Sequence, residues 1–293
     1  MTLPPSPIEA TATWERTVWR GEPAWQSRRG SVAAIVSEAR ARLIYLGADD
    51  GSHNLLNAPW PQVLPTTDHP WPNQGGHRFW LGPQHRWVWP PPTEWEYAAA
   101  RLARAKGGVL VVNHEHRDAS YPVLTREYAW ERSRLRCTVR WMDDGRRYFG
   151  LHVVAVDAPC AIETRLDPRP EAPAGFVAAR MIDPEPPVKV PHPVLAIDRG
   201  IATVRSGIAR VKLGFCVQPL TVGRPGGWTL RVLPGPCAEA TTELPDHGYL
   251  SQVWVGEGGC ELAELEQLTP HLRGDPSGSC SSTIFIEAAP PKR

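Results

Sequence analysis

The sequence predicts an all-β protein built as an antiparallel sandwich. Three observations point there. About a dozen short apolar runs follow one another without the alternating βα pattern of a parallel sheet. The 32 prolines and 25 glycines punctuate those runs instead of forming a low-complexity tract, which fits many strands joined by turns. One segment alone reads as a helix.

In chain order, residues 31–37 and 42–47 are short apolar runs that read as strands. Asp49-Asp50-Gly51-Ser52 is a turn signal after the second run. Residues 58–92, rich in Pro and Trp, read as a long irregular connection, and such a connection inside a compact domain is commonly functional. Thr93-x-x-Glu96 is a capping-box pattern. It opens the helix candidate, residues 98–106, which Gly107-Gly108 stops. Strand signals then fall at 109–113, 123–130, 134–141, 148–156, 194–197, 202–205, 209–217, 228–232, 250–255, 260–268 and 281–287. Asp143-Asp144-Gly145 predicts a hairpin turn between two of them. Residues 167–193 form a second Pro-rich connection. The reading is one domain over residues 13–288, with tails at 1–12 and 289–293.

Whole-chain numbers narrow the function classes. The 32 basic and 31 acidic side chains leave a net charge of +1, so no electrostatic footprint for nucleic acid or an anionic membrane is expected. No run approaches the roughly 18 apolar residues of a membrane-spanning helix. The N-terminus has neither a basic n-region nor an apolar h-region, so a cytoplasmic protein is expected. The six cysteines form no Cys-x-x-Cys pair and read as reduced and mostly buried. No phosphate-binding loop, dinucleotide fingerprint or Gly-x-Ser-x-Gly elbow is present, and no cofactor is expected.

Chemistry-bearing residues concentrate in a few places. Gly75-Gly76-His77-Arg78-Phe79-Trp80-Leu81-Gly82-Pro83-Gln84, followed by Trp87 and Trp89, combines a permissive backbone with aromatic faces and fixed polar groups. These are the makings of a small-molecule site; the structural alternative is an irregular connection whose tryptophans cover the core. His152 lies within an apolar strand, either as a hydrogen-bonded core residue or as a general acid. Glu264 and Glu266 alternate and therefore share a strand face. On a cleft wall each would raise the other's pKa; on an open edge they would be solvated. Arg126, Arg134 and Lys212 are charges inside apolar strand patterns, which either snorkel to water or line a cleft. His114 and His116 share a face and could hold a metal if a third ligand converged on them.

Taken in order, several segments resemble the galactose mutarotase-like superfamily, in particular a bacterial branch of it. They are Ala41-Arg42-Leu43-Ile44-Tyr45-Leu46 with Asp50-Gly51 and Asn54-Leu55-Leu56; the 75–84 segment with Trp87-x-Trp89-Pro90-Pro91; Leu124-Thr125-Arg126-Glu127-Tyr128; Lys212-Leu213-Gly214; and Glu264-Leu265-Glu266-Gln267-Leu268-Thr269-Pro270. The resemblance covers residues 14 to 287. It implies a supersandwich of two large antiparallel sheets with a sugar cleft on a concave face, and an aldose 1-epimerase-like reaction. In that reaction a glutamate takes the anomeric hydroxyl proton and a histidine protonates the ring oxygen. By position the resemblance assigns these roles to Glu264 and His152, with Glu266 as the fallback base. It further implies that His77, Arg78, Gln84, Arg126, Lys212 and Glu266 bind a sugar or sugar-like ligand and that Trp80 or Trp87 stacks on its ring. The usual Asn-Arg and first His-Gly-Gly motifs of mutarotases are not visible. Two other functions follow from the residues: carbohydrate binding without turnover, carried by the aromatic segment, and a metal-dependent enzyme built on His114 and His116.

Overall fold

The computed structural model describes residues 12–291 except 69–70, 88, 115–119, 171, 179–191, 217 and 238–239. Its strands are β1 (Glu15–Trp19), β2 (Glu22–Arg29), β3 (Val32–Ser37), β4 (Arg42–Ala48), β5 (His77–Gly82), β6 (Ala100–Lys106), β7 (Val109–His114), β8 (Thr125–Glu131), β9 (Arg134–Met142) and β10 (Phe149–Asp157). They continue with β11 (Ala161–Arg165), β12 (Phe176–Ala178), β13 (Leu195–Asp198), β14 (Ile201–Arg205), β15 (Val211–Phe215), β16 (Leu220–Gly223), β17 (Thr229–Cys237), β18 (Ser251–Val255), β19 (Leu262–Leu268) and β20 (Ser279–Ala289). A single turn of helix, α1 (Thr93–Glu96), precedes β6.

These strands form three antiparallel sheets. One has the order β1-β2-β3-β4. A six-stranded sheet runs β12-β15-β18-β19-β10-β5, and a ten-stranded sheet runs β13-β14-β11-β16-β17-β20-β9-β8-β7-β6. The largest apolar cluster joins the last two: Val154, Leu213, Val253 and Leu265 from the six-stranded sheet pack with Leu110, Tyr128, Ile284 and Ile286 from the ten-stranded one. An all-β sandwich is what the punctuated apolar runs predict. No helix among the described residues is long and apolar enough to cross a membrane.

Several local expectations are corrected. Residues 98–106 are not helical. The run Ala-Arg-Leu-Ala-Arg-Ala-Lys favours helix on propensity, but it pairs with β7 at the edge of the ten-stranded sheet, and tertiary pairing overrides a weak local preference. Gly107 and Gly108, at φ +58° and +76°, make the two-residue hairpin between β6 and β7 instead of a helix stop. No capping box forms: Pro92 precedes the first helical residue, and no side chain caps the turn. The Asp143-Asp144-Gly145 turn does not join a hairpin, because β9 pairs with β8 and β20 while β10 pairs with β5 and β19. It carries the chain from one sheet to the other.

Residues 77–82, expected within an irregular connection, form a fully buried strand at the edge of the six-stranded sheet. Gly75 and Gly76 deliver the chain into it at φ +60° and +69°. A Cβ on Gly75 would sit 2.0 Å from the Asn57 carbonyl oxygen, and one on Gly76 would sit 2.3 Å from that of Leu43. Only glycine meets both the backbone angle and the close approach.

Candidate functional site

The register of the six-stranded sheet decides which side chains can meet. Directly opposed residues point to the same face, and neighbours along a strand point to opposite faces. One row across the sheet is Ala155, Glu264, Trp254 and Lys212. The next is Arg78, Val153, Glu266, Gln252 and Gly214. Trp80 stands opposite Leu151 on that same face. These rows floor a cavity of about 350 Å³, within the size range of small-molecule sites (roughly 300–1,000 Å³). It is lined by Trp71, Asn73, Trp80, Gln84, Trp89, Arg210, Lys212, Trp254, Glu264 and Glu266.

Two ion pairs fix the carboxylates. Arg78 donates to Glu264, and its guanidinium lies 5.0 Å from the Trp80 ring centroid. Burial works against the Arg78 charge, but Glu264 and Glu96 outweigh it and hold the guanidinium above its ordinary range. Lys212 Nζ is 2.7 Å from Glu266 Oε2, both side chains being nearly or fully buried. Burial pushes the Glu266 carboxyl up, Lys212 opposes the shift, and Glu264 adds to it.

The aromatic wall is built from contacts at the edges of its rings. Trp71, Trp80 and Trp89 touch one another at centroid distances of 5.1 to 6.1 Å. Trp80 is held from behind: its Nε1–H donates to Glu96 Oε2 at 3.2 Å. Glu96 in turn is fixed by Arg42, whose Nη1 lies 2.7 Å from Glu96 Oε1 in a pair with no exposure on either side. The short helix α1 thus positions a carboxylate behind a cleft tryptophan.

The opposite face of the same sheet holds a second polar group. His77, Phe79 and His152 point away from the cavity, toward the ten-stranded sheet. His77 Nε2 and His152 Nδ1 are 2.9 Å apart, and His152 Nε2 lies 2.7 Å from Ser282 Oγ. Arg126 donates from Nε to His114 Nε2 at 2.7 Å and from Nη1 to the His77 carbonyl at 2.8 Å. Burial, reinforced by the Arg126 charge, pushes His152 down to about 3. Burial also pushes His77 well below its ordinary value, with His152, Arg126 and Arg42 adding to the effect.

This geometry sorts the candidates from the sequence. Trp80, Gln84, Lys212, Glu264 and Glu266 line one cavity, with Arg78 beneath them. His152 does not join Glu264: the residue opposite Glu264 on β10 is Ala155, and His152 is on the far face of the sheet, fully buried. His77 is behind the sheet for the same reason of parity, and Arg126 reaches that side from β8 of the ten-stranded sheet. Trp87 is buried against Trp80 and Trp95 and donates to the Leu81 carbonyl, so it supports the wall without facing the cavity. Arg134 lies over the Phe285 ring, away from the site. Both ring nitrogens of His114 are engaged, one by Arg126 and the other near the Glu94 carbonyl, which leaves neither for a metal. His116 lies outside the described residues, and among those described no group of three metal-ligating side chains converges. Sequence reasoning did not find Asn73, Arg210 or Trp254. Trp254 was accessible in principle, since it alternates with the buried Val253 and Val255 in β18.

No family model matches the chain, and no curated protein sequence does. Solved structures do. A provisionally named aldose 1-epimerase from Escherichia coli K12 superposes with a TM-score of 0.57 at 12% identity, covering 94% of this chain and 99% of that one. A galactose mutarotase-like protein from Lactobacillus casei ATCC 334 gives 0.55 at 11% identity, with 91% and 100% covered. The Slr1438 protein from Synechocystis sp. PCC 6803 gives 0.56 at 11% identity, with 99% and 98% covered. At such identities the likeness concerns the fold, and it extends over nearly the whole length of both chains. The chain has the galactose mutarotase-like fold.

Proposed function

We propose that this protein binds a small carbohydrate in the cavity on the six-stranded sheet and interconverts its anomers, as an aldose 1-epimerase-like isomerase with Glu264 as the base. The observation that carries this reading is the cavity itself: a tryptophan wall faces two ion-paired carboxylates on one sheet face. Tryptophan faces suit the C–H face of a pyranose ring, while carboxylates, guanidinium, ammonium and amide groups suit its hydroxyls. Glu264 is the less buried of the two carboxylates, with a side chain 13% exposed, so it can reach a bound hydroxyl. Arg78 holds it in place, as orientation of a catalytic group requires.

A second reading is binding without turnover. The specific observation favouring it is that His152, the expected acid, is behind the sheet, and no histidine is among the described residues that line the cavity. The two readings separate in one experiment. The test follows the mutarotation of freshly dissolved aldoses by polarimetry, alongside the quenching of tryptophan fluorescence. Quenching with faster mutarotation that Glu264→Gln abolishes supports the isomerase. Quenching with no change in mutarotation rate supports the binding protein. Neither response to any aldose overturns the sugar reading.

A further inference from the structure

An epimerase needs a proton donor for the ring oxygen; His152 lies on the far face of the sheet, and among the described residues lining the cavity the cations are Lys212 and Arg210. We propose that Lys212 is that donor, held toward the substrate by Glu266. The assignment rests on the isomerase reading above.

The placement comes from the sheet. Lys212 shares a cross-strand row with Glu264, separated by Trp254 on β18. Its ammonium reaches diagonally to Glu266, which sits two residues from Glu264 on β19. Two residues of strand span about 7 Å. The strand positions of Glu264 and of Glu266, which holds the ammonium, are therefore set apart by about the width of a sugar ring, on a cavity floor whose wall includes Trp71, Trp80 and Trp89. Both residues line the same cavity. The lysine side chain is 10% exposed and Glu266 only 2%. Burial makes a lone charge costly, so the pair stays together, and the ammonium has protons to spare beyond the one shared with Glu266.

The chemistry balances. Glu264 accepts the proton of the anomeric hydroxyl, and the O1–C1 bond becomes a carbonyl. The C1–O5 bond breaks, its electron pair goes to O5, and O5 takes a proton from Lys212. The products are the open-chain aldehyde, a neutral carboxyl and a neutral amine. After rotation about C1–C2, O5 attacks the other face of the carbonyl. Its proton returns to Lys212, that of Glu264 returns to O1, and the opposite anomer leaves with both side chains restored.

The test uses two variants of the full chain. Lys212→Arg keeps a cation beside Glu266, but a guanidinium does not give up a proton near neutral pH. It is expected to bind aldose within about threefold of the wild type by tryptophan quenching. Its mutarotation kcat is expected to fall by about 10²–10⁴-fold, the usual worth of a general acid. Lys212→Ala is expected to lose turnover and to regain part of it with added ethylamine, which a merely structural lysine would not allow. Lys212→Arg turning over at the wild-type rate, or Lys212→Ala without amine rescue, would overturn the assignment and leave the isomerase reading standing. A wild type that binds aldose without accelerating mutarotation overturns both.

Discussion

Lowering the pH strikes this fold at its buried histidine pair. His152 is wholly buried between Ser282 on β20, His77 on β5 and the edge of the Phe79 ring, with the Arg126 charge of β8 nearby. Its pKa is about 3 in the folded protein, against 6.5 for an unperturbed histidine. The folded value is the lower one, so the unfolded chain takes up the proton first. Stability is therefore full above pH 6.5 and falls as the pH drops toward 3. Each pH unit in that window costs about 1.4 kcal/mol through His152. At pH 4.5, two units below 6.5, His152 alone removes about 3 kcal/mol, a large share of the roughly 5–15 kcal/mol that holds a typical domain folded. His77 acts in the same direction. The hydrogen bond between the two rings accommodates one proton, so a doubly charged pair would lose that bond and add repulsion. The assay is urea unfolding, followed by tryptophan fluorescence, in steps from pH 7.5 to 4.5. His152→Gln keeps a polar group toward Ser282 but does not titrate. Its stability is expected to depend less steeply on pH than the wild type's, by about one proton. Equal slopes for the two proteins would refute the reasoning.

Other consequences follow from the same geometry. Glu96→Gln leaves the Arg42 guanidinium without its counter-ion in a site closed to water, and the loss of one partner of a buried pair costs about 3–5 kcal/mol; chemical denaturation checks it. The same variant is expected to weaken aldose binding, because Trp80 loses its anchor, and titration by tryptophan quenching reads this separately. Gly82→Ala is expected to destabilise the fold by at least about 1–3 kcal/mol, the usual cost of overpacking, since its Cβ would fall 2.0 Å from the Phe149 ring; a thermal melt of the variant reads the effect. Trp254→Ala removes the ring standing between Glu264 and Lys212 and is expected to lower aldose affinity about fivefold to tenfold, roughly 1 kcal/mol or more, with little change in folding stability.

The sequence discloses the strands of the two large sheets better than it discloses the site. Runs such as 109–113, 134–141 and 281–287 stand out because burial on at least one face leaves clear apolar patterns. β5 did not, because it is buried on both faces and carries His77 and Arg78, whose partners come from β8, β10 and β19. β6 was hidden for the opposite reason: its composition suits a helix, and only pairing with β7 makes it a strand. Within the site, the alternation of Glu264 and Glu266 is readable from spacing, and so is the concentration of tryptophan in 71–89. Which of them His152 meets depends on strand register. A shift of one residue moves every side chain to the other face, and nothing local to either strand states that Ala155, not His152, stands opposite Glu264.

The most direct test of the account is a crystal structure of the protein soaked with an aldose that quenches its tryptophan fluorescence. Ring density is expected between the Trp71, Trp80 and Trp89 wall and the Glu264, Glu266 and Lys212 floor, with a ring hydroxyl on Glu264. An empty cavity, with the sugar bound elsewhere on the molecule, would contradict the central claim that this face of the six-stranded sheet is the working site.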